Sequence, residues 1–432
     1  MAMAWHPFYH GKTEVISKCR VRDFSDFGVW YTPGVAEPCK AIEAEPRLVY
    51  EHTNKWNYIA VASNGTRVLG LGDIGPLAGY PVMEGKSLLF KYLGGVDSTA
   101  LMIDTKDPDK FIETVKMVAP TFGGINLEDI RTPDCFYILD RLRKELDIPV
   151  WHDDQQGTAA ITLAGVINGL KVAGKKLADA RITLVGAGAA NNCLARTLVK
   201  AGMPPGNIVV CDSKGTLHPG REDLEKDRKN PQKWELARIT NSEGVEGDIA
   251  AALNCADVLV SASKPGPGTI KKEWLKGMAD NPVVFAEANP VPEIWPWEAK
   301  EVGVKIFGTG RSDFPNQVNN SIGFPGIFRG TLDVRASTIT DEMHIAAAYS
   351  IAKTAEEKGI HEEYLVPTMD ETDVFINEAV AVAEKAMEQN VARLKKSRQE
   401  LRETAEFLIT SSREKTKVMM ERGFILEPPA VD

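Results

Sequence analysis

Two pairs of adjacent carboxylates are the first residues in this chain with chemistry in them. Glu128-Asp129 follows the short apolar segment Phe122-Gly-Gly-Ile-Asn-Leu127, and Asp153-Asp154 follows Ile148-Pro-Val-Trp151. Neighbouring carboxylates repel one another unless a cation sits between them. Two such pairs, each after a strand-like run, point to one shared divalent site, and oxygen donors with open water positions suit Mg²⁺ or Mn²⁺. The competing reading is that each pair opens a helix, where negative charge is favoured anyway. Lys86 leaves a stretch with five glycines in 17 residues, 70–86, and leads into Ser-Leu-Leu-Phe-Lys-Tyr-Leu93, an amphipathic helix start. A lysine desolvated there would lose its proton more easily and serve as a base, although an exposed lysine fits the same spacing. Tyr31 precedes Thr-Pro-Gly-Val-Ala-Glu-Pro38, a turn that opens a helix. It is either a half-buried core tyrosine or a proton donor on a rigid backbone. Arg67 lies just after Asn64-Gly65, which reads as a hairpin turn between two strand-like runs. Alone it reads as a solvated strand residue.

The elements that must position these groups are clearest in the second half. Arg181-Ile-Thr-Leu-Val-Gly-Ala-Gly-Ala-Ala-Asn191 is a strand running into Gly186-x-Gly188-x-x-Asn191, followed by a helix over 192–201 and a strand over Asn207–Asp212. That strand–loop–helix–strand context is what a dinucleotide fingerprint requires. Gly186 makes the tight turn, Gly188 admits the pyrophosphate to the helix N-terminus, and Asp212, 24 residues on, meets the ribose hydroxyls. The earlier Gly70-x-Gly72-x-x-Gly75 has the same spacing but is set aside, because Pro76 follows and no helix is expected there. Further strands over 256–262, 282–286 and 305–307 continue an open parallel sheet. Asn289, at the carboxyl end of one of them, is a ligand candidate by position, and Asn316-Gln-Val-Asn-Asn320 is a second amide cluster. Lone loop asparagines also serve simply to close turns.

The chain has 432 residues, enough for two or three domains, with 43% hydrophobic and 26% charged residues and a net charge of −9. No large basic surface is implied, so nucleic acid is not an expected partner. No apolar run reaches the roughly 18 residues a membrane span needs, and the N-terminus lacks a secretory pattern. The six cysteines are scattered without a Cys-x-x-Cys pair, which fits free thiols in a reducing cytoplasm and leaves oxygen to hold any metal. Beyond about residue 336 the pattern is helical. Residues 393–422 are charge-rich and read as a solvated helical tail, with an exposed helix pair or a subunit contact as the other readings, and 427–432 read as a loose end.

Taken in order, Tyr-Thr-Pro-Gly-Val-Ala at 31–36, Gly-Leu-Gly-Asp-Ile-Gly at 70–75, Met-Glu-Gly-Lys at 83–86, Leu-Glu-Asp-Ile at 127–130, His-Asp-Asp-Gln-Gln-Gly-Thr-Ala at 152–159, Gly-Ala-Gly-Ala-Ala at 186–190, Ala-Asn-Pro at 288–290 and Asn-Asn-Ser-Ile-Gly-Phe-Pro-Gly at 319–326 make the chain resemble a malic enzyme of the short prokaryotic type. The resemblance spans roughly residues 10 to 385. It implies an α/β fold: an N-terminal malic domain for substrate and metal, 1–155, a doubly wound Rossmann-type NAD(P)-binding domain, 156–385, and a helical C-terminal extension, 386–432. It implies metal-dependent oxidative decarboxylation of L-malate to pyruvate and CO₂ with reduction of NAD(P)⁺, in a cytoplasmic homodimer or larger homo-oligomer. Tyr31 then looks like the general acid and Lys86 like the general base, with Asp153 orienting Lys86 or the metal shell. Glu128, Asp129 and Asp154 look like the ligands of Mg²⁺ or Mn²⁺. Arg67, Asn289 and Asn320 match substrate-binding positions, and Gly186, Gly188, Ala189, Ala190, Asp212 and Asn289 match cofactor-binding ones. Asp212 favours NAD, whereas Ser213 and Lys214 could receive the extra phosphate of NADP. Three features depart from the family pattern: Asn191 in the fingerprint, Glu287 before Ala288-Asn289, and the helices beyond about 390. A metal-independent two-domain hydroxy-acid or amino-acid dehydrogenase and a catalytically dead nucleotide sensor are the alternative readings.

Overall fold

Two parallel sheets share one apolar core. The structure, a computed structural model, describes residues 1–431. The first sheet has strands β1 (Tyr58–Ser63), β2 (Asp97–Met102), β3 (Gly124–Leu127) and β4 (Val150–His152), in the order β2-β1-β3-β4 and parallel throughout. The second has β5 (Ile182–Val185), β6 (Ile208–Asp212), β7 (Gly215–Thr216), β8 (Val258–Ser261), β9 (Val283–Ala286) and β10 (Ile306–Thr309), in the order β10-β9-β8-β5-β6-β7. Only the short β7 runs antiparallel. From β5 the chain goes one way to β6 and later returns on the other side to β8. Ligands in such sheets lie outside the strand ends at this reversal.

Helices cover both faces of both sheets. The ones that matter here are α1 (Gly75–Gly94), α2 (Pro108–Val118), α3 (Asp134–Glu145), α4 (Thr158–Val172), α5 (Ala189–Lys200), α6 (Phe324–Asp333), α7 (Asp341–Lys358), α8 (Thr372–Glu388) and α9 (Arg398–Glu421). Side chains alternate across β1. Ala60 and Ala62 face α2 and α3, with Phe111, Ile112, Ile138 and Leu142. Ile59 and Val61 face the other way, into a continuous core with Met83 and Phe90 of α1, Leu163 of α4, Phe324 and Phe328 of α6 and Phe375 of α8. That core continues under β5 and β9, so the two sheets are joined by packed hydrocarbon and not by a linker. Gly165 and Gly169 let α4 approach Phe285 and Val283 of β9 closely.

Several expectations are overturned. Asn64-Gly65 is not a hairpin turn. β1 is flanked by parallel strands and buried on both faces, so the chain must leave it for a helix. Asn64 instead closes a tight turn, its Oδ1 accepting from the Thr66 hydroxyl at 2.7 Å. A helix does open after Gly70-x-Gly72-x-x-Gly75: α1 begins at Gly75, and Pro76 sits in its first turn, where a missing N–H costs nothing. Lys86 therefore lies well inside α1, not at its start. The charge-rich tail is not a solvated helix. Along α9, Leu401, Ala405, Ile409 and Ser412 form a buried stripe at helical spacing against α1 and α8. The Ser412 hydroxyl donates to the Lys91 carbonyl at 2.7 Å. Nor is the C-terminus free. Tyr9 donates to the Leu426 carbonyl at 2.8 Å and the Trp5 indole to the Pro429 carbonyl at 3.1 Å. Asp432 lies outside the described residues.

Residues 1–35 are different from the rest. Only Asp26 is buried there, while Val15, Ile16, Phe24, Phe27, Val29 and Trp30 are exposed. Among the described residues no helix is long and apolar enough to cross a membrane.

If α9 is a docked structural element, Ile409→Ala should lower unfolding stability by about 3 kcal/mol, the ordinary result of deleting a buried aliphatic side chain. Phe407→Ala, at a position 69% exposed, should stay within about 0.5 kcal/mol. Urea denaturation of the two variants checks this, and equal small effects would mean that the helix is not docked.

Candidate active site

β3 and β4 are neighbours in register, so the residues after them emerge at the same sheet edge. Glu128-Asp129 and Asp153-Asp154 therefore meet, although 24 residues separate Asp129 from Asp153. Asp129 adopts a left-handed backbone (φ 53°). Its N–H donates to Asp154 Oδ2 at 2.9 Å, and its carbonyl accepts from the Arg67 N–H at 3.0 Å. Residues 153–157 form one wide π-type turn that opens into α4. One ligand atom each from Glu128, Asp129 and Asp154 can be chosen so that all lie within 4.8 Å of one another. Asp129 Oδ2 is buried without a hydrogen-bond partner.

Lys86 enters this acidic pocket from α1. Its Nζ lies 2.5 Å from Asp153 Oδ2, 3.1 Å from Glu128 Oε1 and 3.4 Å from Asn320 Oδ1, and 4.3 Å from the centre of the Phe324 ring. The Trp151 indole donates to the other Asp153 oxygen at 3.1 Å. Lys86, Glu128 and Asp153 are all buried. Burial by itself would lower the Lys86 ammonium, but Asp153, Glu128 and Asp154 outweigh it and hold it above its ordinary value. Desolvation is therefore not the only influence on Lys86. Burial also raises Glu128 well above the usual carboxylate range, and burial together with the Asp154 charge pushes Asp129 up to about 8. The three carboxylates are thus short of positive charge, and a hard dication is what their donor set fits.

The remaining candidates fall into two groups. Asn320 belongs to the cluster through Lys86. Arg67 is exposed beside it, its guanidinium donating to the Leu69 carbonyl at 3.0 Å and its charge reaching Asp129. Asn289 stands across the cleft, where Gly70 of the glycine-rich loop packs on the Asn289 carbonyl so closely that a Cβ would sit 2.6 Å from it. Tyr31 is not brought in. It is 71% exposed and takes part in no side-chain hydrogen bond among the described residues. His152 was not singled out from the sequence. It is fully buried with both ring nitrogens unpartnered, and Nδ1 lies 3.8 Å from Asp154 Oδ2. Its only sequence signal is its place beside the acidic pair.

The nucleotide end is built on β5 and α5. Gly186 has φ 99°, and a Cβ there would strike the Ala262 carbonyl of the neighbouring strand end. A Cβ on Gly188 would meet nothing within 4 Å, so the flank facing the first turn of α5, Ala189 and Ala190, is open. Asn191, the departure in the fingerprint, donates its Nδ2 to the carbonyls of Val185 (2.9 Å) and Gly186 (3.0 Å) and so ties down the turn it follows. Asp212 is not a free acceptor. Both its oxygens face Arg221 Nη2, at 3.4 and 3.3 Å, Lys233 Nζ is 3.5 Å from Oδ2, and the Lys214 N–H donates to Oδ1 at 2.9 Å. Arg221 and Lys233 carry no motif and were invisible in the sequence.

Residues 10–143 match the model of the malic enzyme N-terminal domain, and residues 155–387 that of the malic enzyme NAD-binding domain. The chain belongs to the malic enzyme family. It is 48% identical over 393 residues to the bifunctional malic/malolactic enzyme of Bacillus subtilis, covering 91% of this chain and 94% of that one. The NAD-dependent malic enzyme of Geobacillus stearothermophilus is also 48% identical, over 383 residues, 89% of this chain and 78% of that one. The NADP-dependent malic enzyme of Escherichia coli is 44% identical over 407 residues, 90% of this chain but 52% of that longer one. Among solved structures, the malic enzyme of Entamoeba histolytica superposes with a TM-score of 0.97 at 47% identity, over 99% of this chain and 89% of that one. As a member of this family the chain is an NAD(P)-dependent malate oxidoreductase of the decarboxylating type.

Gly157 is a sharp test of the cluster's geometry, because a Cβ there would run into the Asp153 carboxylate. Gly157→Ala should displace Asp153 from Lys86 and lower malate turnover by about 10²-fold, while dinucleotide binding stays unchanged. Steady-state kinetics beside a binding titration checks it, and near-normal turnover would show that Asp153 need not sit where it does.

Proposed function

We propose that Lys86 and the carboxylates around it carry out oxidative decarboxylation of L-malate to pyruvate and CO₂. The observation that carries this reading is the position of Lys86, held between Asp153 and Glu128 at the edge of a three-carboxylate cluster. With the acids that keep Lys86 protonated offset by a dication held by Glu128, Asp129 and Asp154, the neutral amine, aimed by Asp153, itself fixed by the Trp151 indole, would then take the proton of the C2 hydroxyl as hydride leaves that carbon. Arg67 pairs with a substrate carboxylate, and Asn289 and Asn320 fix the hydroxy acid from the other side of the cleft. Glu128, Asp129 and Asp154 would hold Mg²⁺ or Mn²⁺, which when bound supplies a Lewis acid for the C2 oxygen and the charge that forms during decarboxylation. The dinucleotide supplies the hydride acceptor, with its pyrophosphate at Gly186, Gly188, Ala189 and Ala190.

Tyr31 is the residue we assign to protonate C3 of the product enol. Its arm, residues 10–35, leaves Phe24, Phe27, Val29 and Trp30 uncovered, which supports a homodimer or larger homo-oligomer in which another copy covers the arm and encloses Tyr31. The division into substrate, nucleotide and tail segments at about residues 155 and 385 follows the same reading. The free cysteines support a cytoplasmic setting. For the cofactor, a preference for NAD requires a free Asp212. With Arg221 and Lys233 facing that carboxylate, we place both NAD and NADP within reach, the cations receiving the 2′-phosphate.

Lys86→Ala should reduce malate oxidation by roughly 10³-fold and leave dinucleotide affinity intact. A chelator should abolish the activity of the unaltered enzyme, and Mn²⁺ or Mg²⁺ should restore it. Chelator-resistant reduction that yields oxaloacetate would favour a plain dehydrogenase, and dinucleotide binding without any turnover would favour a sensor. Arg221→Ala should raise the KM for NADP by about tenfold while that for NAD moves less than about threefold. Equal changes for the two would remove Arg221 from 2′-phosphate recognition.

A further inference from the structure

Glu287 is a carboxyl that the site described so far does not use. It stands at the carboxyl end of β9 and is 9% exposed. Thr162 of α4 donates its hydroxyl to Oε1 at 2.7 Å. Oε2 has no hydrogen-bond partner among the described residues, and no cation pairs with either oxygen. Its neighbours place it. The Glu287 carbonyl and the Asn289 amide pack against Gly310 at the end of β10, and Asn319 donates to the Gly310 carbonyl at 3.1 Å, one residue from the Asn320 that meets Lys86. Glu287 thus lies on the half of the sheet opposite Asp212, on the far side of the reversal between β5 and β8. A dinucleotide laid across that reversal with its pyrophosphate at Gly188 and its adenosine toward Asp212 puts its nicotinamide on the β8–β9–β10 half.

We propose that the Glu287 carboxyl is a positioning residue for the nicotinamide ring, its Oε2 hydroxyl donating to the ring's carboxamide oxygen while Thr162 holds Oε1. The inference rests on the malic enzyme reading above and adds a contact to its cofactor site. A carboxamide needs a donor at its oxygen, and a neutral acid provides one where an apolar side chain provides none. The electrostatics agree. Burial pushes the Glu287 carboxyl up to about 8, with the Thr162 hydroxyl opposing and Glu293 adding to the shift. Glu293 is the titratable group whose charge acts on it, and it is itself saturated by Ser261, Ser263 and the Ala288 N–H. Arg311, next to Gly310, is turned to Asp313 at 2.7 Å and to the Pro290 carbonyl at 2.6 Å. From α4 the facing group is the Thr162 hydroxyl, which does not titrate. The acid is therefore neutral and a donor at about pH 7. Above about pH 8 it ionises, loses its donor and gains a charge that favours the cationic oxidised ring over the neutral reduced one.

Calorimetric titration of the full-length protein, Glu287→Gln and Glu287→Leu with NADH, NAD⁺ and ADP-ribose, from about pH 7 to about pH 9, tests this. For the unaltered protein, NADH affinity should fall by about fivefold across that range, with NAD⁺ affinity changing less. Glu287→Gln, which keeps a donor, should bind NADH tightly with no such pH dependence. Glu287→Leu should bind NADH about fivefold more weakly at about pH 7. ADP-ribose, which lacks the ring, should bind all three proteins alike. The proposal is overturned if Glu287→Leu keeps both the NADH affinity and the pH dependence, or if ADP-ribose weakens in step with NADH, since that loss is structural. Failure of the unaltered protein to bind any of the three would overturn the underlying dinucleotide site as well, a separate and recognisable outcome.

Discussion

The structure depends on holding one ammonium and four carboxyls together out of water. Lys86, Glu128, Asp129, Asp153 and Asp154 converge at the edge of the first sheet, and the first four are buried. In a medium of low polarity such an arrangement is unfavourable unless each charge is compensated. Lys86 compensates one carboxylate, and the Trp151 indole and the Asn126 amide, which donates to Glu128 at 2.9 Å, satisfy further oxygens. What is left over is a set of carboxyls, Glu128, Asp129 and Asp154, without enough positive charge to match them, the opening a dication fits. The surrounding backbone is shaped to this demand. Asp129 takes a left-handed conformation, residues 153–157 widen into a π-type turn, and Gly157 leaves the space that the Asp153 carboxylate fills.

Those groups can be held only because the elements beneath them are stiff. β3 and β4 deliver the two acidic pairs side by side, and α1 delivers Lys86 while its other side chains, Met83 and Phe90, are locked in a core common to both sheets. The same core runs through α4, α6 and α8, so the substrate half and the nucleotide half are fastened by packing. α9 lies over α1 and α8 from outside. Arg329 of α6 spans the junction, pairing with Asp333 and donating to Asn57 just before β1. A cleft with one wall from each half has, in this way, walls that share a foundation.

The two ends of the nucleotide crevice differ in their charge. At the end beside β6, Asp212 is matched by Arg221 and Lys233, and Asp223 by Arg221 and Lys214. At the opposite end the buried acids Glu287 and Glu293 face hydroxyls and backbone N–H groups, without a cation. Asp223 at one end is thus held below its ordinary value by its cations, and Glu287 and Glu293 at the other are pushed up toward their neutral forms, by partner choice and not by residue type.

Residue identity and order alone determined a good deal. Both acidic pairs, the Gly186-to-Asp212 fingerprint and the parallel strands of the second sheet are local patterns, legible because strand alternation, glycine turns and helix starts act over a few residues. So is the ordered set of motifs that places the chain in its family. What only the tertiary structure decided depends on distant partners. Asn64-Gly65 lost its hairpin because β1 acquired parallel neighbours on both sides. Pro76, read as a helix breaker, became a first-turn residue once Gly75 opened α1. The buried stripe of α9 was hidden among charges until α1 and α8 were there to receive it. Lys86 is held above its ordinary value because three acids, none adjacent to it in sequence, outweigh its burial, and Asp212 lost its freedom to an arginine with no motif. In each case a local preference of about a kilocalorie per mole yielded to packing or charge contacts worth several, and those contacts exist only after the chain has folded.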